Sequence, residues 1–421
     1  MEEFKLKIAN EKSILSLGAE SAGNFSVYKD GVLYFSHNFG DLLEEENFYK
    51  FRTEVFKFLK DNKIKPEIII SDLHPNFHTT LLAQDLTRKY KATYVPIQHH
   101  IAHIFSAIGD KIIVSETHNL KSILGIACDG TGFGLNGKIW GGEVFSFQLS
   151  TSSFQAKRVA HLENQVLIGG EKAIQEPARI LISILSKIYP SSHVVPGLTR
   201  NPDLHLNLDS RFHGNDKAKK DFVFSFVKKY YPENEFEVLW NQLEQNFNCL
   251  ETSSTARILD AVSVLLGFSK NERLSKHGSI ALLEKNSTNP YTLKPKLVIS
   301  NSQFPISKQI PNQKIQISNK MLILNTTYLF KYLIKNLHKD KSRLAATAQK
   351  YIADGLVEIV KLKTKSLKLE AVYFSGGMAN NKIMSEILES HGIYTSKKIP
   401  HGDAGISFGQ LFFYLLTNPR D

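Results

Sequence analysis

Cysteine is nearly missing from this sequence: 421 residues hold only Cys128 and Cys249, with no Cys-x-x-Cys pair. That excludes a disulfide framework, a cysteine zinc ribbon and a thioredoxin-type redox pair, and it points to a reducing compartment. Long hydrophobic runs are missing too. No stretch approaches the ~18 apolar residues of a membrane span. The first twelve residues mix charges of both signs where a secretory signal needs an uncharged core. The expectation is a cytoplasmic chain with no membrane partner. Acidic residues are also in deficit, since 52 Lys+Arg against 41 Asp+Glu leaves a net charge of +11. The deficit is local: residues 285–320 carry six lysines and no acid, among Asn, Gln, Ser and Pro. Without arginines or an aromatic ladder, that stretch reads as a solvated, poorly ordered loop rather than an RNA-binding patch.

What is present suffices for a core. The chain is 42% hydrophobic and 22% charged, long enough for two or three domains and for folding without a metal or disulfide staple. Two stretches interrupt the pattern and read as surface insertions, residues 191–220 and 285–320. Elsewhere strand and helix signals alternate. Short β-type runs at Ser13–Leu17, Asn24–Lys29 and Val32–His37 are joined by a hairpin signal at Lys29-Asp30-Gly31. A helix follows at Glu46–Asn62, then a buried-type strand at Glu67–Ile70, a strand at Thr93–Ile97 and a helix over His99–Ile108. The order then restarts, with a strand at Ile123–Ala127, a second from Lys138–Trp140 and a third at Glu143–Leu149. Ala371–Phe374 is another buried-type strand before a helix, and Ile406–Leu416 is apolar and helical. Such a duplication predicts an α/β fold of two actin-like, ribonuclease-H-like lobes around a central nucleotide and metal cleft. The lobes are expected at residues 1–115 and 116–421, the second including a helical region and both insertions.

His99 and His103 stand at i and i+4 in Gln98-His99-His100-Ile101-Ala102-His103. On a helix that spacing puts both imidazoles on one face, able to share a divalent metal or simply to line a polar face. His100 points elsewhere and reads as a packing or supporting residue. Asp403, in a loop before the last helix, could cap that helix or supply a third ligand. Asp129-Gly130-Thr131-Gly132-Phe133-Gly134 follows a strand, and its three glycines let backbone approach a phosphate or a metal-bound oxygen; hairpins use similar residues. Gly376-Gly377 between a strand and a helix is a place for phosphate or ribose, or for tight packing. Gly169-Gly170-Glu171 opens another helix, where Glu171 could meet a ribose hydroxyl or favour the helix dipole. No P-loop, no Gly-x-Ser-x-Gly elbow and no dinucleotide fingerprint occurs. Neither cysteine has an adjacent base, so the chain does not advertise a covalent nucleophile of its own.

These motifs belong to a longer ordered series. It runs from Gly18-Ala19-Glu20 with Asn24-Phe25, through Asp72-Leu73-His74-Pro75 and the histidine helix, to Asp129–Gly134 with Ile139-Trp140-Gly141-Gly142-Glu143. Gly169–Ile174 with Glu176-Pro177-Ala178-Arg179 follows, then Thr252-Ser253-Ser254 with Arg257 and Asp260. Ser375-Gly376-Gly377-Met378 with Asn381, and the Asp403–Gly405 loop with Gly409-Gln410, complete the series. The series resembles the carbamoyltransferase HypF family of [NiFe]-hydrogenase maturation proteins. The likeness is to the family's C-terminal transferase module only, so these residues are expected to lack the acylphosphatase, zinc-finger and YrdC-like domains.

The resemblance implies transfer of a carbamoyl group from carbamoyl-adenylate to the C-terminal cysteine of a HypE-type partner. A separate YrdC-like protein is then expected to supply the adenylate. It implies a divalent metal on His99, His103 and Asp403, with Asp129, and all four as catalytic residues; imidazole and carboxylate ligands suit iron or zinc better than magnesium. The ATP-derived nucleotide is assigned to Gly130, Thr131, Gly132, Gly169, Gly170, Glu171, Gly376, Gly377 and Asn381. The alternatives left open are threonylcarbamoyl transfer to tRNA adenosine, another O-carbamoyltransferase, and a non-catalytic remnant.

Overall fold

A computed structural model of the chain describes residues 1–8, 10–115, 121–149, 154–188, 214–273, 275, 278–301 and 315–418. By its contacts the chain divides into two compact units. The first comprises Met1–His161, Ile299–Leu322 and Leu356–Asp421; the second comprises Leu162–Val298 and Ile323–Gly355.

The first unit opens with β1 (Glu2–Lys5), β2 (Ile14–Ser16), β3 (Ser26–Lys29) and β4 (Val32–Phe35), then α1 (Glu45–Asp61), β5 (Ile68–Asp72), α2 (His78–Tyr90), β6 (Thr93–Ile97) and α3 (His99–Ser115). Its sheet order is β1-β4-β3-β2-β5-β6. β2, β3 and β4 run antiparallel, and β5 and β6 join parallel to β2. β5 is buried along its whole length, as its unbroken Ile-Ile-Ile requires of a strand covered on both faces. β1 was not legible in the charged N-terminus, and it pairs with the outer strand β4 through largely exposed residues.

The pattern repeats. β7 (Ser122–Phe133), β8 (Ile139–Leu149) and β9 (Phe154–Leu162) are antiparallel neighbours, and β14 (Ala371–Ser375) pairs parallel with β7. The order β9-β8-β7-β14 matches β4-β3-β2-β5, so the duplication expected from sequence is present. Its strand boundaries need correction. β7 does not end at Ala127 but runs on to Phe133, with a register shift between Cys128 and Gly132. The second strand expected from Lys138–Trp140 and the third expected at Glu143–Leu149 are one strand, β8, which begins at Ile139, and the third strand is β9. Gly141-Gly142 reads as a break, yet those glycines lie opposite the bulge in β7, where strand glycines are common.

Between β9 and β14 the chain forms β10 (Gln165–Ile168), α4 (Lys172–Gln175), α5 (Ala178–Ser186), α6 (Gly214–Val227), α7 (Glu233–Glu244), β11 (Cys249–Thr252), α8 (Thr255–Leu266) and α9 (Gly278–Lys285). Then come β12 (Leu297–Asn301), β13 (Ile315–Leu324), α10 (Thr326–Lys335) and α11 (Lys341–Leu367). Both expected insertions are therefore partly wrong. Residues 214–220 belong to α6, and residues 297–301 and 315–320 are strands. Ile317 and Met321 are buried in the main core of the first unit. The alternation in Ile315-Gln316-Ile317 was masked by the lysine-rich composition around it. Lys285 ends α9, residues 286–296 form neither helix nor strand, and residues 191–213 and 302–314 lie outside the described residues.

After β14 come one 3-10 turn (Gly377–Asn380), α12 (Lys382–Glu389), a second 3-10 turn (Asp403–Gly405) and α13 (Ile406–Thr417). α3 is the centre of the first unit, with residues 99–110 all buried. Close approach needs glycine here. A Cβ on Gly409 of α13 would stand 1.9 Å from the Ala102 carbonyl oxygen, and one on Gly125 of β7 would stand 2.3 Å from Ile104. α3 is thus held against both α13 and β7. Among the described residues no helix is long and apolar enough to cross a membrane, and both cysteines are free thiols.

Candidate metal centre

The first turn of α3 presents His99 and His103 on one face, with ring centroids 4.7 Å apart. β7 brings Asp129 to them from its bulge, and the turn before α13 brings Asp403. His99 Nε2 lies 3.2 Å from Asp129 Oδ2, 3.2 Å from His103 Nε2 and 3.6 Å from Asp403 Oδ1. His103 Nε2 lies 3.4 Å from Asp129 Oδ2 and 3.5 Å from Asp403 Oδ1. The four ligand atoms all fall within 4.8 Å of one another. Two imidazoles and two carboxylates converging on one point fit a divalent cation, which they would neutralise.

Supporting contacts orient His99, Asp129 and Asp403. Asp72, at the carboxyl end of β5, sits 2.7 Å from His99 Nδ1. With the Nδ1 proton donated there, His99 Nε2 turns a lone pair to the group. Asp72 Oδ1 also accepts the His74 N–H. Asp129 Oδ1 accepts the Gly377 N–H at 3.2 Å, and Asp403 Oδ2 accepts the Ser21 hydroxyl. Asp72 and Ser21 received no role from sequence; a carboxylate ending a buried parallel strand, where ligands gather in α/β sheets, was the available signal for Asp72.

The electrostatics agree with a shared charge site. Burial opposes a charged His99, but the Asp72 charge and hydrogen bonds with Asp129, Asp403 and Asp72 carry its pKa well above the ordinary value. Burial also opposes charge on His103, and hydrogen bonds with Asp129 and Asp403 raise it. Burial and the Asp403 charge push Asp129 upward, yet its bonds to His103 and His99 hold it well below the usual range. Protons and a metal ion compete for the same atoms.

His100 stands outside the group, as its place on the helix implied. Gln98 accepts the Ile101 N–H through Oε1, and its amide donates to His100 Nδ1 at 3.0 Å and to the Phe133 carbonyl at 3.1 Å. His100 is fully buried, and burial presses its pKa down to about 3. Gly132 lies directly on it: a Cβ there would meet His100 Cε1 at 2.4 Å and His99 Cδ2 at 3.0 Å. Behind it, Glu143 pairs with Arg158, whose guanidinium lies 4.2 Å from the Trp140 ring centre. Burial would raise Glu143, but the charges of Arg158, His161 and His100 and the Arg158 hydrogen bond together outweigh it and bring the pKa to about 2.

The other expected residues divide. Gly376 (φ +94°) packs on Cys128, with 2.3 Å from a Cβ to the carbonyl oxygen, and donates to His401 O. Asn381 caps α12 by accepting the Met384 N–H. Gly130 is half-buried and Thr131 exposed. Gly169, Gly170 and Glu171 belong to the second unit, where both glycines take positive φ and Glu171 precedes the single turn α4.

Residues 9–110 match the family model described as the HypF Kae1-like domain, and residues 125–410 match the carbamoyltransferase Kae1-like domain, second subdomain. The chain belongs to the HypF carbamoyltransferase family. It is 33% identical over 430 residues to a probable carbamoyltransferase HypF of Methanocaldococcus jannaschii, covering 99% of this chain and 48% of that protein. A Synechocystis carbamoyltransferase HypF is 25% identical over 95% of this chain and 47% of its own length. The chain thus spans about half the length of these curated relatives. A HypF homolog of Cupriavidus necator, 25% identical, is matched over 94% of this chain and 90% of that protein. Two solved HypF structures share the fold. One, a full-length form with phosphate and nucleotide bound, has a TM-score of 0.76 at 23% identity, covering 98% of this chain and 47% of that one. The other, from T. kodakarensis, has a TM-score of 0.76 at 25% identity, covering 98% and 49%. The fold is the Kae1-like, actin-like α/β fold expected from sequence.

Proposed function

We propose that this chain is a cytoplasmic, metal-dependent carbamoyltransferase module that takes carbamoyl-adenylate and carbamoylates the C-terminal cysteine of a HypE-type partner in [NiFe]-hydrogenase maturation. The observation that carries the reading is the convergence of His99, His103, Asp129 and Asp403 in a chain of this family. Its lobes as units of descent are residues 1–115 and 116–421, a division supported by the spans of the two family models.

A carbamoyl carbon is a poor electrophile because its nitrogen donates into the carbonyl, and adenylation supplies a leaving group. A bound iron or zinc ion supplies Lewis-acid polarisation of a carbonyl or phosphate oxygen. His99, His103, Asp129 and Asp403 hold it, and Asp72 fixes the His99 tautomer. Gly130, Thr131, Gly132, Gly376, Gly377 and Asn381 serve the adenylate, and Gly169, Gly170 and Glu171 are the second unit's candidates for adenosine. In the transfer the partner's thiolate forms a C–S bond, the C–O bond to phosphate breaks, AMP leaves with the electron pair, and the thiol proton is released. An external thiolate accounts for the lack of an internal nucleophile.

Intact-mass measurement tests this. The partner should gain one carbamoyl group when this protein and carbamoyl-adenylate are both supplied, the latter from a YrdC-like protein, and none when either is omitted. Modification of tRNA from a threonylcarbamoyl donor, with the cysteine untouched, would replace the reading by its closest rival.

A further inference from the structure

α3 does more than carry two histidines. His99, His103, Ser106 and Asp110 follow at spacings of four, three and four residues, which aligns them on one face of the helix. Residues 394–403 pass from the Asp110 end of that face to its histidine end, and Gly405 follows beside Ser106. At the far end Asp110, fully buried, accepts four hydrogen bonds from this one segment. The donors are the Tyr394 hydroxyl at 2.7 Å and the backbone N–H groups of Lys397, Lys398 and Ile399 at 2.8, 2.8 and 2.7 Å. Midway, a Cβ on Gly405 would stand 2.7 Å from Ser106 Oγ, so the backbone passes in contact with the helix. At the near end Asp403 Oδ1 meets the two histidines at 3.5 and 3.6 Å.

Three successive N–H groups and a hydroxyl around one carboxylate make a rigid anchor, since an ionised carboxylate only accepts. The anchor lies four residues before Asp403. We propose that Asp110 is a positioning residue for the metal site: it fixes the chain leading to Asp403, and so the distance of that carboxylate from His99 and His103. The proposal rests on the reading that these four side chains hold a metal. It separates two jobs of one helix face, ligation at one end and placement of the distant ligand at the other.

An Asp110 that merely stabilised the fold would act regardless of Asp403, and that difference can be measured. Zinc affinity is read by competition with a chromophoric chelator on four proteins: wild type, Asp110→Asn, Asp403→Ala and the double variant. The amide turns an N–H donor towards donors and breaks the anchor, so Asp110→Asn should weaken zinc binding about tenfold or more. On the Asp403→Ala background the same change should alter affinity by less than about twofold, because no placed ligand is left to lose. Should Asp110→Asn fail to fold, Tyr394→Phe removes one of the four hydrogen bonds and should give a smaller loss, again only when Asp403 is present. Equal weakening in both backgrounds, or none in either, overturns the positioning role. Tight zinc binding by the wild type without coupling defeats this inference alone; a wild type that binds no zinc defeats the metal reading together with it.

Discussion

His99 has both ring nitrogens engaged, and the four-atom group depends on that. Nδ1 is taken by Asp72, so Nε2 is left to face Asp129, His103 and Asp403. Asp72→Asn should therefore weaken zinc about 10–100-fold by losing tautomer control, as chelator competition would show. The raised pKa values of His99 and His103 mean that metal must displace protons. Affinity should fall as pH falls, and calorimetry in buffers of different ionisation enthalpy should register proton release on zinc binding; zinc uptake without proton release would contradict the arrangement. Glu143 is a separate, structural charge. Its folded pKa of about 2 lies below the ordinary 4.5, so its stabilisation is complete above about 4.5 and is lost as pH falls towards 2. Glu143→Gln leaves buried Arg158 without its counter-charge and should cost about 3–5 kcal/mol. In urea unfolding at several pH values, that variant should also show a flatter acid limb between pH 4.5 and 2.

At the scale of elements, the close approach of α3 and α13 positions the site. The side chain of Gln410 in α13 bonds Ser16 and Gly18, and Ser407 bonds Ser26, so α13 is tied to β2 and β3 as well as to α3. Gly409→Ala puts a methyl group into the Ala102 carbonyl and should cost about 1–3 kcal/mol by overpacking. It should also lower zinc affinity, because α3 bears two of the four proposed ligands. Thermal melts with and without zinc should separate the two effects. β13 gives the matching test for a segment whose composition reads as solvated. Ile317 is buried in the core, so Ile317→Ala should cost about 2–5 kcal/mol, where an exposed insertion would show almost no change.

At the scale of the whole molecule, the chain covers about half of its longer relatives, and the chemistry that makes an acyl-adenylate has no recognisable motif in these 421 residues. Given carbamoyl phosphate and ATP alone, the protein should form no carbamoyl-adenylate, and a YrdC-like protein added in trans should restore its formation, as chromatography of the nucleotides would report.

Local pattern sufficed for part of this protein. The 3.6-residue period placed His99 and His103 together on one helix face, the unbroken apolar run at residues 68–70 marked a buried strand, and the ordered motifs identified the family. These are properties of neighbouring residues, and a linear reading captures them. Asp403 lies 300 residues from His103, and no local rule brings them together; the family resemblance named it, but only the packing of α13 on α3 sets its carboxylate 3.5 Å from the ring. Asp72, Ser21 and Asp110 stayed silent for the same reason, being polar residues whose partners are distant in sequence. β13 was misread because lysine content reports the solvent-facing side of a strand, while burial is decided by what covers the other side. The glycines at 132, 376 and 409 look alike in sequence. Tertiary contact alone distinguishes them, since each stands where a single methyl group would strike a neighbouring ring or carbonyl.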